Sequence, residues 1–186
     1  MKKREELHRI LAPLGISVFL DYEKGISLTD VEETGETFEE NALLKARSGC
    51  KESGMPCIAD DSGLQVDALG GRPGVYSARY MGENTPYNEK MAALVGELEG
   101  VKDEDRTARF VSVAALVFPD GREYTVKGVC EGKIGYEPKG ENGFGFDPIF
   151  YVGDRSFAQL SAEEKDAISH RGHSLRALKE KLSEIL

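Results

Sequence analysis

Residues 59–63 read Ala-Asp-Asp-Ser-Gly, two adjacent carboxylates followed by a hydroxyl. Like charges side by side repel, so Asp60 and Asp61 need a cation, donors or a shared proton to stay together. A hard cation such as Mg²⁺ prefers oxygen ligands, which makes metal-assisted chemistry one use of the pair. A turn is the other use: the pair follows the short apolar run Cys57-Ile58-Ala59, and Asp, Ser and Gly favour a strand-end turn for backbone reasons alone. Upstream, Glu32-Glu33-Thr34-Gly35 precedes a helix start. These acids either suit the positive end of the helix dipole or donate a carboxylate to a metal shared with Asp60 or Asp61.

Three further constellations carry chemical side chains. The helix opening at Thr37 puts Phe38, Ala42, Lys45 and Gly49 on nearly one side, with Asn41 close by. A Lys and an Asn among small and apolar residues suit a face turned to a ligand, or a lysine snorkelling outward past its apolar stem. Gly140-Glu141-Asn142-Gly143-Phe144-Gly145-Phe146-Asp147-Pro148 is glycine-rich with two aromatics. Glycines admit close backbone approach and an exposed ring stacks on a base, while a plain turn with one core Phe is the alternative. The Gly-Lys-Ser/Thr ending of a P-loop is absent. Ser169-His170-Arg171-Gly172 places cations at a helix N-terminus, against the dipole, and local rules tend to be broken at sites. His8 and His173 have no site role.

The elements that position these residues follow from periodicity. Residues 2–12 read as a helix with Leu7, Ile10 and Leu11 on one side, ended by Pro13 and Gly15. Ile16–Leu20 reads as a short strand. Thr37 and Glu40 fit a capping box for a helix running to about Ser53-Gly54. Another helix spans Pro86 to Leu98. Ala108–Phe118 and Glu123–Cys130 read as strands joined at Asp120-Gly121, a hairpin signal. Pro148–Val152 is a further strand, and Leu175, Leu178, Leu182 and Leu186 mark a closing amphipathic helix. Mixed helices and strands with an antiparallel hairpin give an α/β or α+β class.

At 186 residues the chain fits one domain over residues 1–186, with 40% apolar and 31% charged residues. A net charge of −9 excludes a broad nucleic-acid surface but not a single nucleotide. Cys50, Cys57 and Cys130, odd in number and without metal spacing, point to a reducing compartment. No apolar stretch reaches the roughly 18 residues of a membrane span, and Met1–Glu6 lacks a signal-peptide core. The expectation is a cytoplasmic protein.

Five blocks in order resemble the inosine triphosphate pyrophosphatase family: residues 32–46 around Glu33, Thr37 and Lys45; Ala59-Asp60-Asp61-Ser62-Gly63-Leu64; Gly74-Val75-Tyr76-Ser77-Ala78-Arg79-Tyr80; Gly143–Phe150; and Glu163–Arg171. The likeness runs from about residue 3 to the C-terminus. It implies an elongated, two-lobed α/β structure with a central mixed sheet flanked by helices, the site in the cleft between lobes, and a homodimer. It also implies Mg²⁺-dependent hydrolysis of non-standard purine nucleoside triphosphates (ITP, dITP, XTP) to monophosphate and pyrophosphate, cleansing the nucleotide pool. By resemblance Asp61 accepts the proton of water, Asp61 and Glu33 hold the metal, and Asp60 supports them. Lys45 and Ser62 contact phosphates. Phe144 stacks on the base, with Gly145, Phe146 and Asp147 completing that wall, and Lys165, His170 and Arg171 read the base. As donors these suit a 6-keto purine and disfavour adenine, whose amino group would leave them unpaired. The family pattern opens with a strand and a Ser/Thr-x-Asn-x-x-Lys phosphate loop. This chain starts inside that motif, with Lys3 at its lysine, so an N-terminally shortened chain of weak turnover is expected. A nucleotide-binding module without catalysis is the alternative.

Overall fold

The computed structural model describes residues 2–15, 19 and 21–185. The strand expected over Ile16–Leu20, apart from Phe19, lies outside the described residues, as does Leu186. The first helix, α1 (Lys2–Leu11), buries Ile10 and Leu11. Pro13 turns it into a short 3₁₀ segment that Gly15 closes at φ 75°, its N–H donating to the Ala12 carbonyl, a conformation glycine adopts without strain. Helix α2 (Phe38–Ser53) starts at Thr37, whose hydroxyl accepts from the Glu40 N–H, and stops at Gly54 with φ 68°. Only half of the expected capping box forms. The Glu40 carboxylate accepts from the Glu36 N–H at 2.7 Å and not from Thr37.

Strand β1 (Cys57–Val66) carries the paired acids in its interior. The expected strand-end turn is therefore corrected: the motif stays extended, and Gly63 serves packing. A Cβ there would stand 2.2 Å from the Gly74 carbonyl oxygen. Helix α3 (Tyr87–Glu97) matches the expected span within a residue. Strands β2 (Thr107–Val117) and β3 (Glu123–Ile134) form the expected hairpin. Its loop closes by Phe118 N–H to the Arg122 carbonyl at 2.9 Å, with Gly121 at φ 91°. β2 is buried almost throughout, as expected of a strand covered on both faces. Strand β4 (Phe150–Val152) begins two residues later than expected, because Asp147–Ile149 coil into a 3₁₀ turn. β5 (Arg155–Ser156) follows. Then come α4 (Ala162–Ile168), with a complete Ser161–Glu164 capping box, and α5 (His170–Ile185). The sheet order is β1-β2-β3-β4-β5. β4 pairs antiparallel with β3 (Lys133 opposite Tyr151) and with β5 (Tyr151 opposite Ser156).

Contacts divide the chain into two compact units, residues 1–62, 112–128 and 170–186 in the first and residues 63–111 and 129–169 in the second. No linker marks the division, since each unit is assembled from separate segments. The core of the first gathers Ile10, Leu11, Ala114, Leu116, Leu175 and Leu178. That of the second gathers residues of β1–β4 and α3, with Phe110, Phe150 and Phe157 packed ring to ring at 4.6–5.7 Å. Within the first unit, β3 passes so close to the start of α5 that a Cβ on Gly128 would lie 2.1 Å from the His170 carbonyl oxygen and 2.3 Å from the Ser174 nitrogen. Gly128→Ala is expected to destabilise by about 1–3 kcal/mol, the range for overpacking, with urea unfolding as the check. A variant as stable as the parent would show that this approach is dispensable.

Candidate functional site

Neighbours along a strand face opposite sides, and β1 uses this to separate its two acids. Asp60 and Ser62, two apart, share one partner: Arg171 Nε donates to Asp60 Oδ2 at 3.0 Å and its Nη2 donates to Ser62 Oγ at 2.5 Å. The third arm of that guanidinium, Nη1, donates to Glu6 Oε2 on α1 at 2.8 Å. Lys3 completes the group, its ammonium 3.0 Å from Asp60 Oδ1. Asp60, Glu6 and Arg171 are all at most 4% exposed. Burial alone would push the Asp60 carboxyl up. The positive charges of Lys3, Arg171 and Lys45 outweigh it and hold this carboxyl well below the usual carboxylate range. A depressed acid stabilises the fold above its unfolded-state value, about 3.9, and that contribution is lost as pH falls further.

Asp61 faces the other set. Asn41 Nδ2 donates to Asp61 Oδ2 at 3.3 Å, and Lys45 Nζ lies 3.4 Å from Asp61 Oδ1 and 2.6 Å from Glu33 Oε1. The helix face anticipated around Lys45 is therefore turned to the carboxylates. Asn41 is fully buried because its amide also ties the approach to α2, accepting from the Gly35 N–H at 2.8 Å. Gly35 must lack a side chain there: a Cβ would stand 2.6 Å from Asn41 Oδ1. Burial pushes the Asp61 carboxyl up; Lys45 pulls against this, Glu33 adds to it, and the net direction is up. Burial would lower the Lys45 amine, yet Asp61 and Glu33 hold it above its ordinary value. Adjacent acids of one strand thus end in opposite electrostatic settings, one carboxyl held below and the other pushed above the ordinary value.

Among the described residues no three His, Cys, Asp or Glu side chains gather as a self-sufficient metal cage. Glu33 and Asp61 nevertheless aim one oxygen each at a common cation, the Lys45 ammonium. Two carboxylates converging on one point are the donor set Mg²⁺ uses when substrate oxygens and water supply the rest.

The second unit holds the glycine loop. Asp147 Oδ2 accepts from the Phe144 N–H at 3.0 Å and from Lys165 Nζ at 2.8 Å. Gly143, at φ 69°, has no room for a side chain, since a Cβ would meet that same oxygen at 2.1 Å. Lys165 Nζ stands 4.8 Å from the Phe144 ring centre, within cation–π range. Phe144 is half-buried. Phe146 is 3% exposed, its ring in the core and edge-on to Tyr80 and Tyr87. Its side chain thus serves packing, and its backbone belongs to the loop.

Of the three expected base readers, Lys165 lies with this loop in the second unit, whereas His170 and Arg171 open α5 in the first. His170 is 2% exposed. Arg171 has its guanidinium nitrogens on Asp60, Glu6 and Ser62. Ser62, expected on phosphate, accepts from Arg171, and Lys3 stands on Asp60. Glu6 has no role in the sequence reading, whereas Asn41 lies on the face singled out with Lys45. For Glu6 a signal existed, an acid on the same side of α1 as Lys3 and Ile10 by helical spacing. The three thiols are free, and burial raises those of Cys57 and Cys130 to about 11. No described helix is long and apolar enough to cross a membrane.

A family model described as the Ham1 family matches residues 1–181. The chain is 49% identical over 185 residues to a dITP/XTP pyrophosphatase of Mycobacteroides abscessus, covering 95% of this chain and 88% of that protein. It is 46% identical over 196 residues to a dITP/XTP pyrophosphatase of Corynebacterium glutamicum, covering 99% and 93%. Among solved structures, a HAM1 protein from Coxiella burnetii superposes with a TM-score of 0.86 at 45% identity over 98% of this chain and 93% of that one. The Staphylococcus aureus Ham1 protein gives 0.79 at 47% identity, covering 85% and 82%.

Proposed function

The chain belongs to the Ham1 family, and from that premise we infer that it hydrolyses non-standard purine nucleoside triphosphates, dITP and XTP together with ITP, to the monophosphate and pyrophosphate. The relatives matched over nearly the whole chain carry that activity in their names, and none of them favours a binding module without catalysis. The observation that carries the chemistry is the setting of Asp61, buried and raised, with Asn41 and Lys45 fixing its two oxygens.

In this reading Asp61 accepts a proton from the attacking water. The new bond joins the water oxygen to phosphorus, and the anhydride bond between the α- and β-phosphates breaks. Pyrophosphate leaves. Asn41 orients the carboxylate, Lys45 supplies positive charge beside it, and Asp60 anchors the strand through Arg171. Mg²⁺ is assigned to Glu33 and Asp61, where it would neutralise phosphate charge that repels the nucleophile. Phe144 offers its ring face to the purine. Lys165, held by Asp147, is a donor suited to a 6-keto oxygen, and an adenine amino group would leave such a donor unsatisfied. We place the reaction in the cytoplasm on its substrate class and its free thiols. A homodimer is proposed on family resemblance, with light scattering as its check.

The deciding measurement is product release from dITP, XTP, ITP, GTP and ATP, with and without Mg²⁺. Pyrophosphate with monophosphate, faster from dITP and XTP than from ATP, and only with the metal, is the expected result. Orthophosphate as product, or equal turnover of ATP, would overturn the reading.

A further inference from the structure

Tyr87, the first residue of α3, has no part in the reaction described above, yet it stands against the loop that carries Phe144. Its ring meets Phe146 edge-on, centres 5.3 Å apart at 87°. Gly145, at φ 64°, turns its open side to the same ring. The Cβ it lacks would be 3.6 Å from Tyr87 Cε1 and 3.9 Å from the phenol oxygen, ordinary contact distances. Lys90, one turn further along α3, places its ammonium 4.9 Å from the ring centre and donates to the Ala78 carbonyl at 2.6 Å. That lysine is 1% exposed. A buried cation anchored to backbone and set near an aromatic ring restrains the ring's orientation. Tyr87 itself remains 38% exposed, so part of it stays open beside the loop. Burial, and then the charge of Asp147, push its hydroxyl up, which leaves a protonated donor there at neutral pH.

We propose that Tyr87 is a positioning residue of the base site: wedged between Gly145 and Lys90, it sets the orientation of residues 143–147, and through them of the Phe144 ring and the Asp147–Lys165 pair. Asp147 Oδ2 joins the Phe144 N–H to the Lys165 ammonium, so a loop displaced at Gly145 moves the stacking ring and the donor together. The proposal rests on the base site described under the proposed function. Tyrosine is not required by the helix itself, since at the start of α3 an exposed residue of any type would serve. Its ring earns its place by what it touches.

The test compares the parent chain with Tyr87→Ala, Tyr87→Leu and Tyr87→Phe. Pyrophosphate release from dITP and XTP is measured with Mg²⁺, and dIMP binding by calorimetry. Tyr87→Ala is expected to raise KM and weaken dIMP binding alike, by about tenfold, as a modest misplacement of a binding group would, with kcat little changed. Tyr87→Phe, which keeps the ring, is expected to restore both. Tyr87→Leu keeps apolar bulk without the flat ring and gives an intermediate loss. It also decides the matter should the alanine variant fail to fold. Parent-like KM and dIMP affinity in a folded Ala or Leu variant would overturn the proposal, and so would a loss confined to kcat. Absence of pyrophosphate release by the parent sinks the reading of the function instead, and parent protein that does not bind dIMP sinks both.

Discussion

Asp61→Asn is expected to fold at least as stably as the parent chain and to release pyrophosphate about 10²–10⁴-fold more slowly, the usual worth of a positioned base. The two halves of that result have one cause. Burial and Glu33 raise the Asp61 carboxyl in spite of Lys45. A group whose folded value is raised above its unfolded one costs stability once pH exceeds both, because the fold disfavours its charged form. An asparagine keeps the shape, can still accept from Asn41, and removes the charge. It cannot take the proton. Lys45 retains Glu33 at 2.6 Å, so the neighbouring ion pair survives the exchange. Thermal unfolding and steady-state release of pyrophosphate, measured on one preparation, check both halves. Full activity in a folded Asn variant would remove Asp61 as the base, and a large fall in melting temperature would mean that its charge is structural.

Arg171→Leu carries the largest expected cost in stability, about 3–5 kcal/mol, the penalty for breaking a buried ion pair by removing one partner. The substitution takes away the cation that lies between two buried carboxylates, Asp60 and Glu6, and the donor that holds Ser62. Lysine cannot replace a planar fork that serves three acceptors at once, so Arg171→Lys is expected to recover only part of the loss. Coupling gives the sharper readout. With Glu6→Gln as background, Arg171→Leu should cost less than in the parent, because one of the stranded charges is gone. Urea unfolding of the four proteins measures it. Additive effects would deny the Glu6–Arg171 link. If Arg171→Lys instead keeps full stability and alters the ratio of dITP to dGTP turnover, the residue reads the base as the family resemblance implied.

The helix ends at Gly15 and Gly54, the Thr37 cap and the β2–β3 hairpin are local events, governed by spacings of one to five residues, and they read correctly. Glu40 departed from its capping box by a single residue because the Glu36 N–H competed for the same carboxylate. The strand around Asp60 and Asp61 is built from turn-favouring residues, Asp, Ser and Gly, and nothing nearby in the sequence reveals that it runs on through Gly63, which must admit the Gly74 carbonyl. Phe144 and Phe146 are likewise equivalent in sequence. Only packing against Tyr80 and Tyr87 assigns one of them to the core.

The sequence by itself determined the family and the identities of the groups that carry charge, because those rest on residue types in ordered blocks. The tertiary structure alone decided which face each group took and whom it met. Arg171 reaches Asp60 across 111 residues and Glu6 across 165, and no periodicity spans such separations. Strand alternation put Asp60 on Arg171 and Asp61 on Lys45; burial pushes both carboxyls up, and the cations gathered on Asp60 reverse that for one of the two neighbours.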